Sequence, residues 1–438
     1  MTGRPEARLT PAVAPWLAES ECRALIRALG EENARFVGGA VRDALLDRPA
    51  PSDLDIATRL PPDEVIRRLT PQGFRLVPTG LSHGTVTAVG RHRHYEITTL
   101  RVDVETDGRH ATVAFTDDWK ADAARRDFTI NALLCTLDGR IYDYFGGLTD
   151  LRAGRVRFIG DARARIREDA LRILRFFRFH AWYGRGAPDA AGLAAAAELA
   201  DMLAILSIER VRDELLKLLA APDPQAALAA MAETSVLARV LPHADPKRLD
   251  GLARLVAREP AFIALLDAAE ERFWRPLRRL CVLVPLAGRD WVRAGRRLKL
   301  ARRQIAALSL LATPLAAHGE ADLRRAIYRR GFPATVNRAA IAAVSLTDDE
   351  AAALAARLGR LAQWSVPRFP VSGRDLMALG VPPGPSLGRL LETLEERWLK
   401  SDFRLDRTEL LAEAAARTGR TAADDPPPMS PSCAEKRS

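Results

Sequence analysis

Hydrophobic positions follow two different patterns along the chain, and the change comes near Leu151. Before that point, short apolar-rich runs separated by turns predict β-strands. The runs are RFV, DLDIAT, FRLVPT, GTVTAV, HYEITTL, ATVAF and RIYDYF. Helices are few in this part and begin near Ala40, Pro62 and Asp122. The pattern therefore predicts an α/β head with a small mixed sheet.

After Leu151 the spacing is helical, in Ala-rich and Leu-rich segments that continue almost to residue 418. Proline and glycine clusters divide these segments, so we expect an all-helical C-terminal part and an α+β fold class overall. The polar, Pro/Ser-rich end is predicted to be disordered. The predicted divisions are a lead over 1–20, the head over 21–150, helical domains over 151–222 and 223–418, and the disordered tail over 419–438.

The chain carries a net charge of +10 and has an isoelectric point near 9.9. This charge fits a polyanionic partner such as RNA, and it equally fits an Arg-rich composition with solvated surfaces. No apolar run is long enough to span a membrane. The start lacks the apolar core of a signal peptide, and the four scattered cysteines favour a reducing cytoplasm.

The segment Arg35–Thr58 contains two features that suit nucleotide chemistry, a glycine turn and a pair of aspartates. A turn at Gly38 and Gly39 leads into a predicted helix, and backbone N–H groups of such a turn can bind phosphate oxygens. Asp53 and Asp55 are two residues apart on a predicted strand, so their carboxylates share a face and could hold a divalent metal. Each feature alone also fits an ordinary turn or a solvated strand end.

Further charged residues come next along the head. Glu96 lies on the predicted strand HYEITTL, where it is either a solvated side chain or a third carboxylate beside Asp53 and Asp55. The segment RRDFTINA contains Arg126 and Asp127. A nucleoside triphosphate requires fixed guanidinium donors, which these arginines could supply, although Asp127 could equally pair with a neighbouring arginine.

The segment EDALRILRFFR, residues 168–178, predicts a helix with Asp169 and Arg172 as surface neighbours. One interpretation is an ordinary helical ion pair. The other is base recognition, because aspartate accepts and arginine donates hydrogen bonds. Cytosine and adenine both present an amino donor beside a ring-nitrogen acceptor, whereas uracil and guanine invert that order. Arg175 and Arg178 continue around the helix and are expected to face phosphates or RNA.

Three motifs in this order resemble those of the bacterial-type tRNA nucleotidyltransferases and poly(A) polymerases. GGAVRDALL and DLDIAT resemble the GGxVRDxLL…DxDxxT signature, and RRDFTINA resembles the next motif. EDALRILRFFRF is similar to the EDxxRxxRFxRF motif of CCA-adding enzymes. The resemblance extends from about Phe36 to Lys217, and more loosely to about Leu399. It implies a nucleotidyltransferase head followed by a helical neck, body and tail.

The resemblance implies template-independent addition of CCA to the 3′ end of tRNA from CTP and ATP, with release of pyrophosphate. Asp53 and Asp55, with Glu96 as a further catalytic carboxylate, would act with two Mg²⁺ ions. Glu209 and Arg210 would brace the base-reading helix, and the body and tail would bind tRNA. No membrane and no obligate protein partner are implied. The implied nucleotide-binding residues are Gly38, Gly39, Arg42, Arg126, Asp127, Asp169, Arg172, Arg175 and Arg178.

Several alternatives stay open at this point. A poly(A) polymerase shares the head motifs, but the basic G-[RK]-[RK]-F stretch of that branch is replaced here by QGFRLVPTGLSHGTVTAV. Enzymes that add only CC or only A share the same motifs, and the segment 101–119 resembles the loop linked to addition of the final A. His83 is expected near the nucleotide. An inactive RNA-binding scaffold is the alternative from another class, although clustered carboxylates facing a polyanion argue against it.

Overall fold

A computed structural model describes residues 6–49, 51–80, 84–107, 110–285, 290–313, 315 and 318–418. The predictions made for His83, for the loop at 108–109 and for the tail at 419–438 lie outside the described residues. The chain forms two compact units. One comprises Met1–Val256 and Arg272–Ser309, and the other comprises Ala257–Glu271 and Leu310–Ser438. The finer division at residues 150 and 222 stays a prediction.

The head is built on an eight-stranded mixed sheet with the order β1-β10-β9-β2-β3-β6-β5-β4, and β7 and β8 form a separate two-stranded ribbon. Within the described sheet only β3 and β6 pair in parallel. The strands are β1 Ala7–Arg8, β2 Ala34–Val37, β3 Asp53–Thr58, β4 Arg75–Gly80, β5 Thr85–Val89, β6 His94–Thr99, β7 Arg101–Asp107, β8 His110–Phe115, β9 Leu134–Cys135 and β10 Arg140–Tyr142.

Strand β3 shows why the sequence forms this sheet. Leu54 and Ile56 are completely buried, whereas Asp53 and Asp55 alternate with them and are exposed. Burial of one face of the strand therefore fixes both carboxylates on the other face. The helix Ser20–Leu29 packs against the neighbouring strand β2 through its own apolar stripe.

The helices fill the rest of the chain. Those up to the end of the predicted head are α1 Ser20–Leu29, α2 Gly39–Ala44, α3 Pro62–Leu69, α4 Trp119–Ala124 and α5 Gly147–Ala153. Those that follow are α6 Ala162–Glu168, α7 Leu171–Tyr183, α8 Ala190–Glu198, α9 Ile208–Leu219, α10 Gln225–Glu233, α11 Val236–Val240, α12 Leu249–Arg258, α13 Pro260–Ile263, α14 Ala268–Leu283, α15 Asp290–Arg297 and α16 Arg302–Leu311. The last are α17 Glu320–Arg330, α18 Phe332–Ala342, α19 Asp348–Leu361, α20 Gly373–Ala378, α21 Pro385–Lys400 and α22 Arg407–Thr418.

The α+β class is confirmed, since no strand forms beyond Leu151 in the described part of the chain. In the same part, no helix is both long enough and apolar enough to cross a membrane. Helix α7 is fastened to the head by aromatic rings. The ring of Phe128 lies 4.8 Å from that of Phe158 and 5.2 Å from that of Phe179, centroid to centroid. This packing fixes α7 relative to the sheet.

The predicted lead contributes to the head in two ways. Strand β1 adds to the edge of the sheet by pairing with β10. Trp16 is fully buried, and its ring lies 4.3 Å from the ring of Phe36 on β2. The apolar pattern of residues 1–20 is too short to reveal either contact, because both depend on strands formed later in the chain.

Replacement of Trp16 by alanine should therefore destabilise the head strongly. Loss of a large buried aromatic side chain costs about 3–5 kcal/mol, so the first unfolding transition should move to clearly lower temperature or denaturant concentration. Trp16→Phe is the matched control. The indole Nε1 has no hydrogen-bond partner among the described residues, so phenylalanine removes little beyond volume. Equal melting of Trp16→Ala and the unmodified protein would show that the lead is not part of this core.

Candidate active site

One cleft of about 520 Å³ brings together ten of the twelve catalytic and nucleotide-binding residues that the resemblance implies. They are Gly38, Gly39, Arg42, Asp55, Arg126, Asp127, Asp169, Arg172, Arg175 and Arg178. The other lining residues are Arg125, Asn131, Leu171, Phe179 and Arg210. Seven arginines face three aspartates, so the cleft is strongly cationic and suits a polyanionic ligand. Asp53 and Glu96 are not among the residues that line it.

The glycine turn lies directly against one carboxylate. Gly38 has φ +72° and ψ −129°, a left-handed conformation that side chains other than glycine rarely adopt. A Cβ atom at Gly38 would lie 3.3 Å from Oδ2 of Asp55. The backbone of the turn and the carboxylate of Asp55 are therefore close neighbours, and their phosphate-binding and metal-binding roles stay predictions.

Arg42, one turn into α2, is held by several partners. Its Nη1 donates to Oδ1 of Asn131 at 2.6 Å, and its Nη2 donates to the hydroxyl of Tyr183 at 2.7 Å. The guanidinium also stacks on the Tyr183 ring, 4.1 Å from its centroid. Arg42 is nearly buried, so it forms part of the floor of the cleft beneath the glycine turn.

The predicted metal-binding carboxylates lie on adjacent parallel strands. In the register of β3 and β6, Asp55 pairs with Glu96 and Asp53 pairs with His94. Asp55 reaches solvent within the cleft, but the protein around it displaces part of its hydration and so raises its pKa. The negative charges of Glu96 and Asp53 raise this pKa further, against the opposing effect of Arg126 and Arg42.

A divalent cation at Asp53 and Asp55 would relieve this repulsion, and oxygen donors of this type suit Mg²⁺. The charge distribution thus fits a metal held by two aspartates. In the described part of the chain, no three His, Cys, Asp or Glu side chains are placed to bind one metal ion. The role of Glu96 as a further catalytic carboxylate stays a prediction.

Asp127 is a buried anchor for the arginine-rich helix α7. Its Oδ2 accepts from Nε of Arg175 at 2.7 Å, and its Oδ1 accepts from the backbone N–H of Phe128 at 2.8 Å and from Nδ2 of Asn131 at 3.0 Å. Burial alone would raise the pKa of Asp127, but the charge of Arg175 and these hydrogen bonds outweigh it, so the pKa lies below its usual range. Asp127 is therefore a carboxylate that positions Arg175.

Arg125 and Arg126 depend on a residue that sequence reasoning missed. Asp122 is fully buried; its Oδ1 accepts from Nε of Arg125 at 2.8 Å and its Oδ2 accepts from Nη2 of Arg126 at 3.1 Å. Burial opposes ionisation, but the two guanidinium groups lower the pKa of Asp122 below its usual range. The spacing of Asp122, three and four residues before the arginines on one helical turn, is the signal that could have identified it.

The prediction of one continuous helix over residues 168–178 is wrong, because two helices meet there. Helix α6 ends at Glu168 and α7 begins at Leu171, because Asp169 is extended with φ −152° and ψ 107°. Its Oδ1 accepts the backbone N–H of Leu171 at 3.0 Å, as a capping aspartate does. An aspartate in this sequence position thus starts a new helix and breaks the apparent one.

Asp169 and Arg172 both reach the cleft, yet each has a different partner. Nη2 of Arg210 donates to Oδ2 of Asp169 at 2.8 Å, and Nη1 of Arg172 donates to Oε2 of Glu168 at 2.5 Å. The ordinary ion pair between Asp169 and Arg172 does not form. An acceptor on Asp169 and a donor on Arg172 therefore line the same cleft, each held by a different charged neighbour.

Helix α9 supplies the remaining braces. Nε of Arg178 donates to Oε2 of Glu214, a buried residue on α9, at 2.5 Å. Of the two bracing residues expected on α9, Arg210 does contact the base-reading segment. Glu209 instead forms an exposed ion pair with Lys299 at 2.7 Å, because it lies on the outer face of the helix.

Known proteins are similar to this chain over most of its length. Residues 34–157 match the family model "Poly A polymerase head domain", and residues 189–248 match "Probable RNA and SrmB- binding site of polymerase A". A mouse protein, CCA tRNA nucleotidyltransferase 1, mitochondrial, is 35% identical over 89% of this chain and 88% of its own length. The chain belongs to the CCA-adding enzyme family.

Bacterial members of the CCA-adding enzyme family are similar over the same range. The CCA-adding enzyme of Lacticaseibacillus paracasei is 32% identical over 85% of this chain and 89% of its own length. The crystal structure of the Bacillus stearothermophilus CCA-adding enzyme in complex with CTP aligns with a TM-score of 0.73 and 31% identity. That alignment covers 92% of this chain and 98% of the Bacillus chain. The predicted family and the head-plus-helices architecture are confirmed.

Replacement of Asp55 by asparagine should stabilise the metal-free protein at neutral pH. The folded-state pKa of Asp55 lies above its ordinary value of 3.8, so the ionised carboxylate opposes folding at pH values above the folded-state pKa. The gain in melting temperature should shrink as the pH falls through the folded-state pKa and should vanish below 3.8, where the carboxyl group is protonated in both states. Thermal melts of both proteins in chelator, over a pH series, measure this. A variant that melts lower at neutral pH would contradict the proposed repulsion.

Proposed function

We propose that the protein adds CCA to the 3′ end of tRNA without a nucleic-acid template, using CTP and ATP and releasing pyrophosphate. The observation that carries the proposal is the placement of Asp169 and Arg172 in the same cleft as Asp55 and the glycine turn. One cleft can therefore hold the base and the triphosphate of a single nucleotide. The family membership agrees with this activity.

Base selection follows from the chemistry of the two side chains. The carboxylate of Asp169 can accept a hydrogen bond from the amino group of cytosine or adenine, while Arg172 donates to the neighbouring ring nitrogen. Uracil and guanine present the opposite order, so they would set acceptor against acceptor at Asp169 and donor against donor at Arg172, which is costly in a cleft. Since the protein itself reads the base, no template strand is needed.

The arginines would hold the triphosphate. Arg126 and Arg175 line the cleft and are held by Asp122 and Asp127, so their positive charge is oriented before the nucleotide binds. Arg42 supports the Gly38-Gly39 turn, whose backbone N–H groups would bind phosphate oxygens.

Asp53 and Asp55 would hold Mg²⁺, which when bound supplies Lewis-acid activation of the tRNA 3′-hydroxyl and neutralises charge on the leaving pyrophosphate. We assign Glu96 a supporting catalytic role, since it pairs with Asp55 in the register of β6 and β3. Like the other site assignments, this is a proposal.

The helical part would bind the tRNA. The net charge of +10 favours a polyanionic partner, and residues 189–248 match a family model described as RNA-binding. We propose the division into head, neck, body and tail with boundaries near residues 150 and 222. We also propose a cytoplasmic location, which suits the free thiols of Cys22, Cys135 and Cys281.

The direct test uses a tRNA transcript that lacks its CCA end. With Mg²⁺ we expect growth by two residues from CTP alone, by three from CTP plus ATP, and no further growth. Chelation of the metal should abolish extension. A halt at CC would identify a CC-adding enzyme, and a long tail from ATP would identify a poly(A) polymerase. tRNA binding without any extension would support the inactive scaffold.

Replacement of Asp169 by asparagine should relax base selection. The amide can donate where the carboxylate only accepts, so the carbonyl of uracil becomes tolerable. Loss of one hydrogen bond to a charged group contributes about 1.5–3 kcal/mol, so the preference for CTP over UTP should fall by about tenfold or more. The ratio of kcat/KM values measures it. Asp213→Asn, an exposed carboxylate on α9 that pairs with Arg212, is the matched control, and unchanged selection in Asp169→Asn would refute the assigned role.

A further inference from the structure

Four side chains form a hydrogen-bonded chain across the floor of the cleft. Nη1 of Arg42 donates to Oδ1 of Asn131 at 2.6 Å, and Nδ2 of Asn131 donates to Oδ1 of Asp127 at 3.0 Å. Oδ2 of Asp127 accepts from Nε and Nη2 of Arg175 at 2.7 and 2.5 Å. The chain thus runs from the helix after the glycine turn to α7.

Asn131 occupies the one neutral position in this chain. It is only 7% exposed, and it must satisfy a cation on one side and a carboxylate on the other. An amide does both, because its oxygen accepts from Arg42 while its nitrogen donates to Asp127. An aspartate would place two carboxylates together, and an aliphatic residue would leave both neighbours without this partner.

The two ends of the chain lie at different parts of the proposed nucleotide site. A Cβ atom on Gly39 would lie 3.5 Å from Nη2 of Arg42, so this end is directly under the phosphate-binding turn. Arg175 follows Arg172 by three residues on α7, about one helical turn. The hydrogen-bonded chain therefore connects α2, beneath the turn, with α7, which carries both the base-reading residue Arg172 and the phosphate-facing residue Arg175.

We propose that Asn131 is a positioning residue that fixes the distance and orientation between these two ends. The inference rests on the proposed function and assigns a role within the same site. A nucleotide held by its base at α7 and by its phosphates at α2 reaches the reactive geometry only when both elements keep one mutual arrangement. A shift of about 1 Å is sufficient to cost roughly a hundredfold in rate.

Asn131→Ala removes the central link between the hydrogen-bonded side chains, but Arg42 on one side and Asp127 on the other keep their remaining partners. Arg42 keeps its bonds to Tyr183 and to Asp43, and Asp127 keeps Arg175. Each end should still bind its part of the nucleotide, so KM for CTP should stay within about threefold, while kcat falls roughly 10- to 100-fold.

UTP does not engage the base-reading pair, so its incorporation should fall much less. The preference for CTP over UTP should then decrease by about tenfold or more. Asn131→Asp keeps the shape and the acceptor for Arg42, but it opposes Asp127 with a second carboxylate. It should lose at least as much selectivity as the alanine variant.

The control for simple loss of a buried amide is Asn337→Ala in the second compact unit. Asn337 is fully buried and its Nδ2 donates to the backbone oxygen of Pro333 at 2.8 Å. The Asn337→Ala variant should melt at a lower temperature than the unmodified protein, with no change in the ratio of CTP to UTP incorporation.

A readout without catalysis uses pyrophosphate and Mg²⁺ as the probe, followed by amide hydrogen exchange. In the unmodified protein the probe should protect both the turn at Gly38–Arg42 and helix α7. In Asn131→Ala it should protect the turn and leave α7 at least several-fold less protected, since the connection between them is lost.

Two results would overturn the inference: an equal fall of kcat for CTP and UTP in Asn131→Ala, or unchanged protection of α7 by pyrophosphate. Unmodified protein that extends no tRNA would refute the proposed function alone, because the exchange experiment still decides the role of Asn131. Loss of the preference for CTP over UTP in Asn131→Ala, together with loss of α7 protection by pyrophosphate, would establish the positioning role of Asn131.

Discussion

The ion pair between Arg175 and Asp127 is the contact on which the cleft depends. Asp127 is 8% exposed, and removing a carboxylate from water costs several kcal/mol unless a counter-charge and hydrogen bonds compensate. Arg175 supplies the counter-charge, and Asn131 and the backbone of Phe128 supply the hydrogen bonds. The aromatic rings around Phe128 then cover the pair. Helix α7 is consequently held on the head by charge and by apolar packing together.

Other arginines that line the cleft are also paired with a carboxylate. Asp122 holds Arg125 and Arg126, and Glu214 holds Arg178. Seven guanidinium groups in one cleft would otherwise repel one another. Each carboxylate engages only some of the five N–H donors of a guanidinium group. Since all seven arginines line the cleft, the donors that the carboxylates leave would be available to a triphosphate.

Much of this site could be predicted from local pattern. The alternation in DLDIAT puts Asp53 and Asp55 on one face, and a Gly-Gly turn before a helix predicts a phosphate site. The partners could not be predicted, because they are distant in sequence: Arg42 and Asn131 are 89 residues apart, and Arg175 and Asp127 are 48 apart. Such pairs arise only once the sheet and α7 have packed. The head core around Trp16 escaped prediction for the same reason.

The break before α7 shows why local helical spacing misleads at a base-reading site. Had the helix continued, Asp169 and Arg172 would lie one turn apart and would satisfy each other. The extended backbone at Asp169 turns its carboxylate towards Arg210, and Glu168 occupies one nitrogen of Arg172. Each reading group is oriented by a different opposite charge. Arg172 also donates from Nη1 to the backbone oxygen of Arg165 at 2.9 Å and from Nη2 to that of Arg125 at 3.4 Å, so the donors left for a base are on Nε and Nη2. A continuous helix would give a slightly stronger local ion pair and would lose the acceptor and the donor that recognition requires.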